Sequence, residues 1–246
     1  MLSTSNQSQH KHRREGDGTM MIAIDGPAGA GKSTVAQRVA KELGYLYIDT
    51  GAMYRAATWI ALQARVDLND TRKIVQLVES ANIQLKQPDE SSHGRVRVFV
   101  DGDDMTMIVR SRIITKFVSQ ISAIAGVRQI LVRKQQEMAA LGGVVMDGRD
   151  IGTVVLPLAD VKCFLTASVT IRAERRLKEL KQLGQLADLT TLIKETETRD
   201  RLDMTREVSP LRQAPDAVPI DTDHLSIDEV VNKVLDLVRQ KQVQNL

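Results

Sequence analysis

Buried runs and amphipathic stretches alternate along this chain, and their order sets the expected fold. Residues 20–24, Met-Met-Ile-Ala-Ile, form a continuous apolar run, the pattern of a strand covered on both faces. Residues 32–43 follow with helical spacing, 45–48 make a second short strand, and 51–64 a second helix. Strand, helix, strand at this spacing predicts a parallel sheet with right-handed crossovers. Strands of the same kind return at 143–146, 161–165 and 217–220, with helical patterns near 169–183, 189–200 and 227–241. The middle of the chain differs. Residues 83–86 and 95–100 alternate in polarity around the polar loop 87–94, which predicts a small, half-exposed antiparallel pair. Helical patterns follow over 111–121 and 127–140. The expected organisation is an α/β core at 20–64 and 141–246, with 65–140 inserted beside the main sheet. Residues 1–19 are nearly free of apolar side chains and cannot bury enough surface to offset ordering entropy, so a disordered tail is expected there.

Composition narrows the function more than the fold. The 34 basic and 31 acidic residues leave a formal charge of only +3, too small an excess to signal a nucleic-acid partner. Aromatic residues make up 3% of the chain, which leaves little to stack bases on. The single cysteine, Cys163, cannot form an internal disulfide, and no Cys/His set has zinc spacing. Cys163 lies in the apolar run Val161-Lys162-Cys163-Phe164-Leu165 and reads as a core residue. No stretch approaches 18 apolar residues, and the first residues lack the apolar segment of a secretory signal. No membrane span is expected, and a reducing cytoplasm is the expected location.

The chemistry starts in the loop after the first strand. Gly26-Pro27-Ala28-Gly29-Ala30-Gly31-Lys32-Ser33 fits G-x-x-x-x-G-K-[ST], with a buried strand before it and a helix after it, as the phosphate-binding loop requires. Small residues let the backbone curl so that successive N–H groups point at phosphate oxygens, and the positive end of the following helix adds to that field. Lys32 would reach the β- and γ-phosphates, and the Ser33 hydroxyl would ligate Mg²⁺. A GTPase should also carry an N-K-x-D element. Asn232-Lys233 is followed by Val234-Leu235, so the base-reading acid is missing. A small-molecule kinase should instead place many arginines around two anionic substrates.

Several segments offer them. Thr50 and Arg55 follow the second strand, where α/β proteins bind ligands, and could meet an acceptor phosphate. Thr50 could equally cap a helix, and Arg55 could be an exposed helix residue. Asp147-Gly148-Arg149-Asp150 ends the third parallel strand. There Asp147 is placed for Mg²⁺ or its water shell, Arg149 for a phosphate, and Asp150 to accept from a base amino group. Arg172, Arg175 and Arg176 share one helix face, which over ATP would neutralise the charge of the transferring group. Arg199, Asp203 and Arg206 also fall on one face, a spacing that an ion-pair ladder explains as well as a site does.

Together these segments carry a family pattern. The chain resembles the bacterial cytidylate kinases of the nucleoside monophosphate kinase group. The resemblance rests on residues 24–34, on Asp49-Thr50-Gly51-Ala52-Met53-Tyr54-Arg55, on Asp147-Gly148-Arg149-Asp150-Ile151-Gly152-Thr153-Val154-Val155 and on residues 199–211. It spans about residues 20–240 in family order. It implies a three-layer P-loop kinase fold with a five-stranded parallel sheet flanked by helices, an inserted CMP-binding domain with a small antiparallel sheet, and a short helical lid over about 168–186. It also implies transfer of the γ-phosphoryl group of ATP to CMP or dCMP with Mg²⁺, by a monomer. Residues 26–34, from Gly26 to Thr34, would bind the ATP phosphates. Arg55, Arg149 and Arg206 would hold the CMP phosphate, Ser119, Arg128 and Asp150 would read the cytosine, and Asp203 with Arg199 would contact the sugar hydroxyls. Arg172, Arg175 and Arg176 would form the lid. Thr50 stands where some members have serine, and the 87–94 loop and the tail are longer than in some. A kinase for another monophosphate or a small alcohol is the nearest alternative. A nucleotide-dependent switch is a more distant one.

Overall fold

The computed structural model describes residues 19–89, 92, 94–182 and 184–244. The expected tail, apart from Thr19, lies outside the described residues. In chain order the first elements are β1 (Met21–Asp25), α1 (Lys32–Leu43), β2 (Leu46–Asp49), α2 (Thr50–Gln63) and α3 (Thr71–Ser80). Strands β3 (Ile83–Lys86), β4 (Arg97–Val100) and β5 (Asp103–Asp104) precede α4 (Arg112–Ser122) and α5 (Ala125–Ala139). Strands β6 (Val144–Gly148) and β7 (Val161–Thr166) lead to α6 (Val169–Gln182), α7 (Leu189–Thr205), β8 (Val218–Asp221) and α8 (Ile227–Gln244).

Five strands form one parallel sheet in the order β2-β6-β1-β7-β8. Central β1 is covered on both sides, which is why Ile22, Ala23 and Ile24 are all apolar and fully buried. On one face Ile22, Ile24, Cys163 and Leu165 meet Val35 and Val39 of α1 and Val231, Val234 and Val238 of α8. On the other face Ala23, Ile48 and Met146 meet Ala139 of α5 and Ile151 and Val155. The result is three layers, helix on sheet on helix. The chain leaves β1 toward the β2 edge and later fills the β7–β8 edge. The carboxyl end of β1 is therefore the crevice where such sheets take ligands.

A second core lies beside the sheet. Met53, Ala57 and Ile60 of α2 bury against Ile74 and Val78 of α3, Val98 of β4, Val118 of α4 and Leu131 of α5. Helix α2, which the sequence pattern assigns to the main core, thus shares its apolar face with the inserted segment.

Other differences have local causes. Helix α3 forms where no element is expected, because Asp70 caps Lys73 N at 3.0 Å and Ile74 and Val78 line one buried face. The small sheet has three strands rather than two. Asp101 and Gly102, with φ of 53° and 95°, turn the chain back so that Asp104 pairs with Phe99. Helix α7 continues past residue 200 to Thr205, and a π-helical turn, Ile151–Val155, follows β6.

Candidate active site

The loop between β1 and α1 is held open by glycines. Gly26 has φ 144°, and a Cβ there would lie 2.0 Å from the Leu165 carbonyl oxygen, so only glycine fits. At the loop's far end Gly31, in the left-handed region, caps α1. Lys32 is buried and its Nζ donates to the Pro27 carbonyl at 2.7 Å, folding the ammonium over the loop. Burial, and next the nearby Arg149, hold this lysine well below the ordinary range.

Beside the lysine stands the expected metal carboxylate. Ser33 Oγ donates to Asp147 Oδ2 at 2.8 Å, and the Tyr47 hydroxyl donates to Asp147 Oδ1 at 2.9 Å. Burial, followed by Asp49, pushes the Asp147 carboxyl up to about 6. Two hard oxygen donors side by side suit Mg²⁺, which keeps waters and phosphate oxygens in its remaining positions. Among the described residues no group of three or more His, Cys, Asp or Glu could cage a metal alone. These two donors would suffice only for an ion that a nucleotide also ligates. Tyr47 and Asp25 are not found by motif reading. Asp25 accepts from Ile151 N at 2.8 Å and Gly152 N at 2.7 Å, tying the root of the loop to the turn after β6. Burial raises its carboxyl to about 6 against the lowering effect of those two bonds.

The arginines divide into two groups. Arg55 donates to Thr115 Oγ1 at 2.8 Å, and Arg149 Nε donates to Asp203 Oδ2 at 2.8 Å. Arg199 is half-buried, and its buried Nε lacks a hydrogen-bond partner among the described residues. Burial, then repulsion from Arg149 and Arg55, pulls Arg199 down to about 9. Burial likewise lowers Arg55 to about 10; Asp49 acts against this, and Arg110, Arg176 and Arg149 add repulsion. Among the described residues no carboxylate lies within ion-pair distance of Arg55 or Arg199. The second group centres on Asp150, buried between Arg128, in direct contact with one oxygen, and Arg206, at 3.6 Å from the other. Ser119 Oγ donates to Asp203 at 3.4 Å.

This arrangement differs from a ladder along α7. Arg206 is the extended residue that caps the helix, so it turns away to Asp150 and leaves Asp203 to Arg149. Thr50 is not the helix cap either. Asp49 accepts from Ala52 N at 2.9 Å, and the Thr50 hydroxyl donates to the Asp147 carbonyl at 2.7 Å.

The three α6 arginines have three different sets of partners. Arg172 is buried against Asp200 and donates to the Ala28 carbonyl at 3.1 Å. Arg175 donates to the Thr222 carbonyl at 2.6 Å and to the Gly29 carbonyl at 3.4 Å. Arg176 pairs with Glu179 at 2.9 Å near the surface. Their helical spacing is as read from the sequence, but Arg172 and Arg175 find partners far along the chain, while Arg176 pairs within its own helix.

Comparisons with known proteins place the chain in a family. A family profile for cytidylate kinase matches residues 22–240. The cytidylate kinase of Geobacillus sp. (strain WCH70) is 52% identical over 220 residues, 89% of this chain and 96% of its own length. The bifunctional pantoate ligase/cytidylate kinase of Synechococcus sp. (strain JA-2-3B'a(2-13)) is 51% identical over 220 residues, and the chain spans 40% of that protein's length. Among solved structures, a gluconokinase from Sinorhizobium meliloti 1021 matches 92% of this chain and 96% of its own at 15% identity and a TM-score of 0.47, too distant to bear on the site.

Proposed function

Because the chain belongs to the cytidylate kinase family, we propose that it transfers the γ-phosphoryl group of ATP to CMP or dCMP, releasing ADP and CDP or dCDP. The observation that carries this reading is the cluster of cations around Lys32, which is buried, with Arg55, Arg149 and Arg199 partly buried beside it. Arg149 and Arg199 lie in its field, Arg55 lies in the field of both, and two of these arginines lack a carboxylate at ion-pair distance among the described residues. Cations that repel one another out of water need an anion, and a phosphate at this spot supplies it.

Residues 26–34 cradle the triphosphate of ATP. Arg55, Arg149 and Arg199 seat the acceptor phosphate. Arg199 joins this group through its place beside Arg149 and Arg55. Asp150, oriented by Arg128 and Arg206, accepts from the amino group of the cytosine, and Ser119 and Asp203 serve the ring and the sugar. Ser33 and Asp147 would hold Mg²⁺, which would supply positive charge to the phosphate oxygens. An oxygen of the acceptor phosphate attacks the γ-phosphorus in line, and the bond to the β-bridging oxygen breaks. That acceptor oxygen is already ionised at neutral pH, so no protein base is required. Lys32 and the arginines stabilise the charge of the transferring group.

Every group named comes from one chain, so a monomer suffices. No described helix is long and apolar enough to cross a membrane. Burial pushes the Cys163 thiol up to about 12, which fits a core residue in a reducing compartment.

The test is Asp150→Asn, which keeps the shape and removes the charge. The expected outcome is a KM for CMP raised at least about tenfold with the KM for ATP little changed. Equal KM values for CMP in variant and parent contradict the assignment.

A further inference from the structure

Helix α7 faces both halves of the site. Arg199 and Asp203 stand on the acceptor side, as described above, whereas Asp200 is buried against α6. Its two oxygens accept from Arg172, Oδ1 from Nη1 at 3.0 Å and Oδ2 from Nη2 at 2.5 Å. This is a bidentate pair that fixes the guanidinium plane. Two further donors of Arg172 go to backbone: Nε to the Ala167 carbonyl at 2.9 Å and Nη1 to the Ala28 carbonyl at 3.1 Å. Ala28 belongs to the phosphate loop. In a planar trans peptide the carbonyl and the following N–H point in opposite directions. With the Ala28 carbonyl held toward Arg172, the Gly29 N–H is therefore turned away from it, free for a phosphate oxygen. The contact is close, since a Cβ at Gly29 would lie 3.0 Å from Arg172 Cβ.

We propose that Asp200 is a positioning residue for the phosphate donor: from the acceptor-bearing helix it orients Arg172, and through Arg172 the peptide at Ala28. The inference rests on the kinase reading above, but it concerns a residue with no place in that reading. Asp200 touches neither substrate. It joins the helix that carries Arg199 and Asp203 to the loop that carries the N–H groups.

The test is calorimetric titration of the full chain with Mg²⁺ and AMP-PNP, and separately with CMP, for Asp200→Asn, Arg172→Lys and the double variant. Asp200→Asn is expected to weaken AMP-PNP binding about tenfold. CMP binding stays within about twofold. The double variant is expected to be no weaker than the worse single one, because both break the same strut. Initial rates should show the same split, with KM for ATP rising and KM for CMP unmoved. Unchanged AMP-PNP affinity, equal losses for both nucleotides or additive losses would each overturn the proposal. A purely structural role predicts the equal losses. If Asp200→Asn fails to fold, Arg172→Lys decides alone, since it keeps a charge against Asp200 and loses the bidentate grip. AMP-PNP binding does not depend on CMP being the acceptor, so failure of the strut and failure of the kinase reading are separate results.

Discussion

Lys32 concentrates the physics of the site in one side chain. Its ammonium is buried beside Arg149, so the folded protein disfavours the charge that the reaction needs. Lys32→Ala is therefore expected to lower kcat at least about a hundredfold while the melting temperature does not fall. Turnover near that of the parent would remove Lys32 from the mechanism. Gly26 makes the opposite case, where shape alone decides. A methyl group there would overlap the Leu165 carbonyl at a φ that other residues avoid. Gly26→Ala should cost about 3 kcal/mol or more in urea unfolding. A loss under about 1 kcal/mol would mean that the loop moves freely.

At the level of elements, the root of the phosphate loop and the turn after β6 are joined through Asp25. Its folded carboxyl is raised from 3.8 to about 6. Between those values the native state binds more protons than the unfolded one, so this group's contribution to stability falls as pH rises from about 4 to 6. Other carboxylates, such as Asp203, are shifted the other way, so the readout is a difference. Stability of Asp25→Asn minus that of the parent should rise by about 3 kcal/mol across that range and level off above it. A flat difference would mean that Asp25 is not held in this way.

Elements whose causes are local are legible in the sequence. Helix α1 has the bounds that its glycines and apolar spacing give it, and the buried run at β1 is a central strand as expected. Helix α3 is not expected from the sequence pattern although its cause is local too: Asp70 ahead of Ile74 and Val78 is a cap followed by one apolar face. Strand β5 was not legible, because two aspartates have no strand pattern of their own and pair only after the turn at Asp101.

For the molecule as a whole, the sequence indicates which residues carry charge, and the fold determines which charges meet. The phosphate loop, Asp147 and the arginine-rich segments stand out because their residue types are poor core material. The pairs Arg172–Asp200, Arg206–Asp150 and Arg149–Asp203 join positions 28, 56 and 54 apart, distances at which helical spacing says nothing. Those pairs leave Arg55 and Arg199 without a carboxylate at ion-pair distance among the described residues, and the proposed seat for a second anion rests on that. The most direct measurement is ADP release by the full chain with Mg²⁺ and ATP, with CMP, dCMP, UMP or AMP offered in turn. The account predicts that CMP or dCMP stimulates release at least about tenfold over UMP and AMP. Release that no monophosphate stimulates, or that AMP stimulates most, would contradict it.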